Sequence, residues 1–435
     1  MSAIMTPTHF MDGFDEAVFN TVSQGEAPFI RARREKAFSD YGMIPNPTNR
    51  DEEYRRTDPM TFRFGRYTRM ANVATGSLQK TRRWSEGFDV VVSITDKRMG
   101  ISDQLPAGVT VCSLNDAATS HPELLKKYFM GPASPEEDRK FLQLNNAFWN
   151  AGLLIHVAKG VVLEKGILIH YDVETTDAAL LPRLLVIGEE QSQFSIIEDY
   201  QSDHETPFLC CSAREFYAHA GANVKLVTIQ EWGPAAVHLG EDWARVDRDA
   251  TVDLVTMSLG GKVSKMSVGC NVCEPNANAY LGGLYFANDK QHFDQKTLQL
   301  HSAPNTYSNM LYKGAAKDKG YSVYQGVIQA THGSIGVDAY QTNNNLILDN
   351  GARADSLPGL IINADELACS HGATMGNLDQ EQIHYLRTRG IDEIQARKML
   401  VLGFFEEVVQ RVPYLPIQDR LHDMIENKLG FNSHE

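Results

Sequence analysis

Between Leu153 and Ile362 short apolar runs follow one another, separated by Gly, Asn, Asp or Pro: LLIHV, VVLEKGILI, RLLVIG, FSIIEDY, VKLVTI, ATVDLVTM, KVSKMSV, ANAYLGGLYF, KTLQL, SVYQGVI and NLIL. Short runs of this kind, bounded by turn formers, predict β-strands. No long amphipathic helix lies between them to serve as a βαβ crossover, so an α/β sheet is excluded as the main architecture. A sandwich or barrel stays open on spacing alone. So many similar strands in irregular series exceed what one sandwich uses, whereas a solenoid, each coil burying its inward residues against the next, absorbs any number. The pattern therefore predicts a mainly β chain, for whose body a β-solenoid and a sandwich or barrel both remain open.

The two ends read differently. Phe14 to Val22 and Ile30 to Tyr41 carry apolar residues at helical spacing; Arg31, Arg33, Arg34 and Lys36 are interleaved in the second as a solvated face, and Pro45 and Pro47 stop it. FDVVVSI from Phe88 and GVTVCSL from Gly108 are strand-like. Asn115 opens one helix. Ser134-Pro135-Glu136-Glu137 begins another with a cap, an early proline and first-turn acids, continuing through Phe141, Leu144, Ala147 and Phe148 to Gly152. After the strands, Asp379 starts a helix through His384, Tyr385 and Leu386 that Gly390 ends. Asp392 caps a second, reaching about Arg411 before Pro413, and a third carries the stripe Ile417, Leu421, Met424 and Ile425. The expected division is a mostly helical region with a few strands over 1–150, the solenoid over 151–376, and a helical region over 377–435.

With 435 residues the chain is too long for one ordinary compact core, which suits an elongated repetitive body. Forty-one basic against fifty-five acidic residues give a net charge of −14 without a long basic run. Neither nucleic acid nor an anionic membrane is a natural partner for such a surface. The first residues lack a charged-then-apolar signal and contain Asp12, Asp15 and Glu16, and no apolar run approaches a bilayer's thickness. Those features point to the cytoplasm. Six cysteines spread over this length do not make a disulfide framework, which agrees with a reducing compartment.

The densest set of reactive side chains lies at the seam between strands and C-terminal helices, NADELACSHGATMGNLDQEQIHYLRTRGI from Asn363 to Ile391. If Leu367 to His371 is extended, Cys369 and His371 share one face and Ser370 takes the other. A thiol beside an imidazole can hold a soft or borderline metal or move a proton; equally, Cys369 can be a small buried apolar residue and His371 an ordinary hydrogen-bonding one. Cys270 and Cys273 have the spacing of a metal knuckle, but no second pair completes four ligands, and on a strand residues three apart face opposite ways. Adjacent Cys210 and Cys211 diverge for the same reason. His292 and His301 fall in a polar stretch expected on the solenoid surface. No GxxxxGK[ST] pattern occurs, so ATP hydrolysis is not expected of this chain.

ACSHGATMGNLD, followed by YLRTRGI and an Ala-Arg helix, resembles the SufB/SufD family, the β-helical subunits of the SUF iron-sulfur cluster assembly machinery. EEYRRTDP from Glu52, QLNNAFWNAGLLIHVAKGVVLEKGILI from Gln143, PRLLVIGE from Pro182 and GVDAYQTNNNLIL from Gly336 resemble it too, so the similarity runs from about residue 50 to the end and is nearer the SufD branch. It implies a right-handed parallel β-helix flanked by helical N- and C-terminal regions. It also implies a scaffold without catalysis of its own, pairing with a SufB-like subunit through the β-helix end, or with itself when alone, and docking a SufC-like ABC-type ATPase through the C-terminal helices. His371, with Cys369, would then face the shared interface as ligands of a nascent, transient iron-sulfur cluster. A flavin belongs to the chemistry the family implies, though no motif here indicates one. Where the SufB branch carries a cysteine this chain has Thr342, and where it carries Glu before the His this chain has Ser370. Gly166 stands where the family often has Pro, at a turn expected to accept either.

Met399, Leu400, Val401, Leu402, Phe404, Phe405, Val408 and Val409 occupy more than one face of their helix. One face packs inward, and a partner is expected on the other, with Met399, Leu402, Phe404, Phe405, Val408 and Val409 as the contacts. The rival classes are a stand-alone β-helix carbohydrate-active enzyme or acyltransferase, and an inert adaptor. Neither export signal, hexapeptide repeat nor carboxylates at coil spacing favour the enzyme.

Overall fold

The computed structural model describes residues 13–67, 69–78, 87–131, 139–202 and 205–430. Strands dominate, and they form two parallel sheets wound as one β-solenoid. Its eight coils pair Ala151–Val157 with Ile167–Val173, Pro182–Gly188 with Gln193–Ser202, Leu209–Ala218 with Asn223–Glu231, and Val237–Val246 with Thr251–Ser258; then Val263–Val272 with Asn278–Ala287, His292–His301 with Tyr307–Ala316, Tyr321–Ala330 with Asp338–Ile347, and Arg353–Ile362 with Ala368–Gly376. The first strand of each coil stacks in one sheet and the second in the other. Register is continuous: Val237, Val263, His292, Tyr321 and Arg353 lie over one another.

Alternation along each strand sends one set of side chains into the lumen and the other onto the outer face. Leu184, Phe216, Ala244 and Val268 from the first sheet meet Ile196, Leu226, Leu254 and Leu281 from the second in one buried cluster. Each buried side chain of this kind contributes roughly 1.5–3 kcal/mol relative to exposure. The breaks that separate the runs have a backbone reason. Asp249, Asn276 and Asn305 take φ of +57°, +61° and +52° at successive coil corners, a region that Asn and Asp tolerate better than other side chains. Gly166 has φ of +69°, so proline, fixed near −65°, does not fit this turn, contrary to expectation. The Tyr414 hydroxyl also lies 2.6 Å from where a Cβ would stand at Gly166.

Helices cover both outer faces. Glu16–Val22, Pro28–Met43 and Lys140–Phe148 pack Phe19, Ala37, Tyr41, Phe141, Leu144 and Phe148 over Leu209, Cys211, Leu239 and Val263 of the first sheet. Gln380–Thr388, Glu393–Val409 and Leu415–Leu429 cover the second, with Phe405, Val408 and Leu421 against Val227, Val255, Leu284 and Phe286. Asp379 and Asp392 cap two of these helices as expected, accepting from Gln382 and Gln395 N–H groups respectively. A helix over Leu114–Ser120 is capped by Ser113, two residues before the expected Asn115, and the start expected at Ser134 to Glu137 lies outside the described residues.

The basic cluster of the second helix is a solvated face only in part. Arg34 is buried, stacks 3.9 Å over the Trp149 ring, pairs with Glu26 at 2.7 Å and donates to the Ala147 and Trp149 carbonyls. Arg33 donates to the Leu125, Lys126 and Phe129 carbonyls, tying up the end of the helix Pro122–Tyr128. Arg31 and Lys36 do lie on the surface, paired with Glu35 and Asp40.

EEYRRTDP forms a strap across the outer face of the first sheet. Glu53 lies 3.2 Å from Lys296 and 3.6 Å from Lys265, the Thr57 hydroxyl donates to Asp294 at 2.5 Å, and Arg56 reaches Asp355 on the last coil at 3.6 Å. Burial opposes the Glu53 charge, but Lys265, Lys296 and Arg139 outweigh it and hold its pKa down at about 2. Since this is below the unfolded value, the contribution is complete above about pH 4.5 and is lost as pH falls toward 2. Glu53→Gln therefore lowers stability at pH 7 by roughly 3 kcal/mol, a gap that closes between pH 4.5 and 2 when both proteins are unfolded in denaturant across that range.

Candidate functional site

The solenoid is closed at one end and open at the other. At the start, Val109–Ser113 runs antiparallel to Ala151–Val157, and the helices Leu114–Ser120 and Pro122–Tyr128 pack beside it. At the finish, Arg353–Ile362 and Ala368–Gly376 are the terminal strands of their sheets among the described residues. Exposed apolar side chains gather there: Leu360, Ile361, Ile362 and Met375 are 38%, 48%, 38% and 52% exposed. An edge of this length leaves a row of backbone donors and acceptors ready to pair with another chain.

Cys369 and His371 lie on this last strand. Their Cα partners in the preceding coil are Ala339 and Gln341, both buried and turned into the lumen. In-register parallel neighbours project alike, so Cys369 and His371 share the inward column, as a period of two requires. Ser370 is partnered with exposed Tyr340 on the other face. Cys369 is half-buried against the small cluster of Ile328, Val337 and Ala339, and that burial, with Asp338 beside it, raises its thiol pKa. His371 is exposed, because no further coil among the described residues covers it. Thr342 points outward, its register partners being Leu311 and Gly372, so it does not share the His371 column.

No group of three or more His, Cys, Asp or Glu side chains converges in a metal-holding arrangement among the described residues. Cys369 and His371 together supply two donors of the four that a closed tetrahedral site takes. The other cysteines stand apart. Cys210 and Cys270 lie in the lumen core, Cys211 lies under the N-terminal helices, Cys112 packs beside Leu114 at the start of the solenoid, and Cys273 donates to the Val246 carbonyl; burial holds all five thiols high, Cys112 at about 11 and Cys270 and Cys273 at about 12.

The polar stretch around His292 and His301 is not a free surface. His292 bonds Thr57 under the strap at 2.8 Å. His301 is fully buried in the lumen between Thr306 and Ser308, each at 2.8 Å, and burial lowers its pKa to about 4. The lumen also carries buried charge, which hydrophobic patterning does not reveal. Arg214 pairs there with Glu198 and Asp242 and donates to the Tyr200 hydroxyl at 2.7 Å, all four side chains being buried.

A cavity of about 310 Å³ lies between the N-terminal helices and the first sheet, lined by Arg33, Arg139, Arg183, Glu215, Glu241 and Trp243. Its carboxylates are committed: Arg183 holds Glu215 at 2.7 Å, and Arg139 holds Glu241 at 2.8 Å.

The surface expected to take a partner on the helix Glu393–Val409 is narrower than the pattern suggested. Phe405, Val408 and Val409 are fully buried against the second sheet, which removes them from any docking face. Met399 is 49% exposed, Leu402 and Phe404 are half-buried, and Ile394 on the same helix and Tyr385 on Gln380–Thr388 are exposed. No helix among the described residues is long and apolar enough to cross a membrane.

Comparison with known proteins agrees with this architecture. The family model described as SUF system FeS cluster assembly, SufBD core domain, matches residues 171–404, and that of the SufBD protein N-terminal region matches 88–169. The chain belongs to the SufBD family. Similar proteins include an iron-sulfur cluster assembly SufBD family protein of Mycobacterium leprae (strain TN), 38% identical over 223 residues, covering 49% of this chain and 57% of that protein. A namesake from Mycobacterium tuberculosis (strain ATCC 25618 / H37Rv) is 39% identical over 223 residues, covering 49% and 56%. One from Staphylococcus aureus (strain MRSA252) is 28% identical over 307 residues, covering 70% and 66%. The matched stretch thus spans little more than half the length of the mycobacterial relatives.

Proposed function

We propose that this SufBD-family chain is a SufD-like scaffold subunit that pairs through its last coil with a SufB-like subunit and builds a nascent iron-sulfur cluster at the shared surface. The observation that carries this reading is the open coil with His371 and Cys369 in its inward column. Two donors at an unpaired edge make a half-site, and a second chain seated there supplies the remainder. Neutral imidazole is a good iron ligand, and Cys369 becomes one once metal displaces its proton. His371 is the principal ligand. In the absence of that partner, the same edge accepts a second copy of this chain.

The motor lies elsewhere. A SufC-like ATPase docks on Met399, Leu402 and Phe404, together with exposed Tyr385 and Ile394, and its motion reaches the solenoid through the helices that cover the second sheet. The division into a mostly helical 1–150, a solenoid over 151–376 and a helical 377–435 follows this division of labour, and the cytoplasm is its setting.

Anaerobic reconstitution with a SufB-like and a SufC-like subunit tests the assignment by the iron chromophore. His371→Ala is expected to abolish cluster formation while the three-subunit complex elutes unchanged. Normal cluster formation in that variant removes His371 from the ligand set.

A further inference from the structure

Strand Asp338–Ile347 sends three amides into the lumen, and they are treated differently. Asn343 donates to the Tyr285 hydroxyl at 2.9 Å and to the Tyr312 carbonyl at 3.1 Å; Asn345 donates to Asn343 at 2.8 Å and accepts from Tyr285 at 2.7 Å. Gln341 is equally buried, yet neither its amide oxygen nor its amide nitrogen has a partner among the described residues. Buried amides in folded proteins are almost always satisfied, so one left open at both ends marks a group waiting for something.

Its surroundings narrow what that is. In the coil below, the register partner is Met310, which offers only a thioether already engaged by the Tyr324 hydroxyl at 3.3 Å. To one side, a Cβ built on Gly326 would stand 2.4 Å from the Gln341 nitrogen, so that end of the amide is turned toward the strand Tyr321–Ala330. Above lies the open coil, and the register partner there is His371. Neighbouring strands are about 4.8 Å apart and project in-register side chains in the same direction, which sets the amide and the imidazole one above the other.

We propose that Gln341 is the positioning residue of His371: no hydrogen bond joins the two in the structure, and side-chain rotation within their shared column brings the amide oxygen to accept the one N–H of the neutral imidazole, leaving the other ring nitrogen, with its lone pair, facing out of the open coil. Histidines that bind metals ordinarily donate their second nitrogen to a carbonyl or carboxylate, which fixes tautomer and ring orientation. Glutamine does this without adding a charge to the lumen. The inference rests on the reading of His371 as a ligand, but the contact itself can be tested apart from it.

The test uses the full chain with 15N-labelled histidine, His371→Ala assigning the resonance. The wild-type ring nitrogens of His371 report one dominant tautomer; Gln341→Leu, which fills the lumen with an apolar group of similar size, returns them toward the mixture of free imidazole. Gln341→Glu, which keeps an acceptor, retains the wild-type tautomer. In reconstitution with the partner subunits, Gln341→Leu lowers the rate of cluster formation about ten- to a hundredfold and Gln341→Glu restores most of it. Identical ring shifts in wild type and Gln341→Leu overturn the contact. Altered shifts with an unchanged rate overturn the positioning role. Unchanged cluster formation in His371→Ala, with the tautomer effect intact, instead refutes the ligand reading.

Discussion

With Ile361 and Met375 both replaced by lysine, the chain keeps its stability and loses its partner. Both side chains are about half exposed on the terminal strands, so neither change removes core packing. At a β-edge interface the same positions become buried, and an unpaired ammonium there is costly. At about 2 kcal/mol for each lysine, the dissociation constant for a SufB-like subunit rises roughly a thousandfold. Titration calorimetry of the double variant checks this, and unfolding in denaturant establishes that the isolated chain is unaltered. Binding at wild-type strength means that the partner sits elsewhere.

Arg214→Leu has the opposite signature, a large loss of stability with no change at the exposed edge. Burial alone would push the Arg214 guanidinium down, but Asp242 and Glu198 more than offset it and keep it protonated, while burial raises Asp242 against the pull of Arg214. Removing the one cation leaves two carboxylates facing each other in the lumen. Breaking a buried pair in this way costs about 3–5 kcal/mol, whereas replacing the whole set with apolar groups is often close to neutral. The variant therefore unfolds at markedly lower denaturant, and adding Glu198→Gln and Asp242→Asn recovers much of the difference. An unaltered midpoint for Arg214→Leu shows that the triad is not a stabilising unit.

The same triad explains why part of the fold was hidden. The apolar runs fall largely on strands of the two sheets, VVLEKGILI only through its ILI, and most carry inward Val, Ile, Leu or Phe that periodicity detects, although KTLQL and NLIL turn their leucines outward. Leu209–Ala218 and Val237–Val246 do not read as apolar runs: they carry Arg214 and Asp242, paired inside the coil, His238, bonded there to Ser212, and Glu215, held by Arg183 on the outer face, pairings that no pattern of hydrophobicity can announce. Arg353–Ile362 was missed for a different reason. As the terminal strand it has only one neighbour within its sheet, so its residues need not read as buried. Likewise, the buried face of the helix Glu393–Val409 is hard to read from the sequence because eight apolar residues in the eleven from Met399 to Val409 conceal which face meets the sheet.

The shared face of Cys369 and His371 was legible from the period of two, since strand parity needs no knowledge of the fold. Gln341 was not. Its meaning comes from register, which stacks residues thirty positions apart, and the only available signal was its place in the alternating run AYQTNNNLI. The strap was visible as a motif, EEYRRTDP, but its contacts with Lys265, Lys296 and Asp294 exist only once the coils are stacked.

Amide hydrogen exchange across 353–376, with and without a saturating SufB-like subunit, is the most direct measurement of whether the last coil is closed by a second chain. The account predicts strong protection of Arg353–Ile362 and Ala368–Gly376 on complex formation, including the amide of His371. Protection confined to other parts of the chain, with these two strands exchanging as fast in the complex as alone, would contradict it.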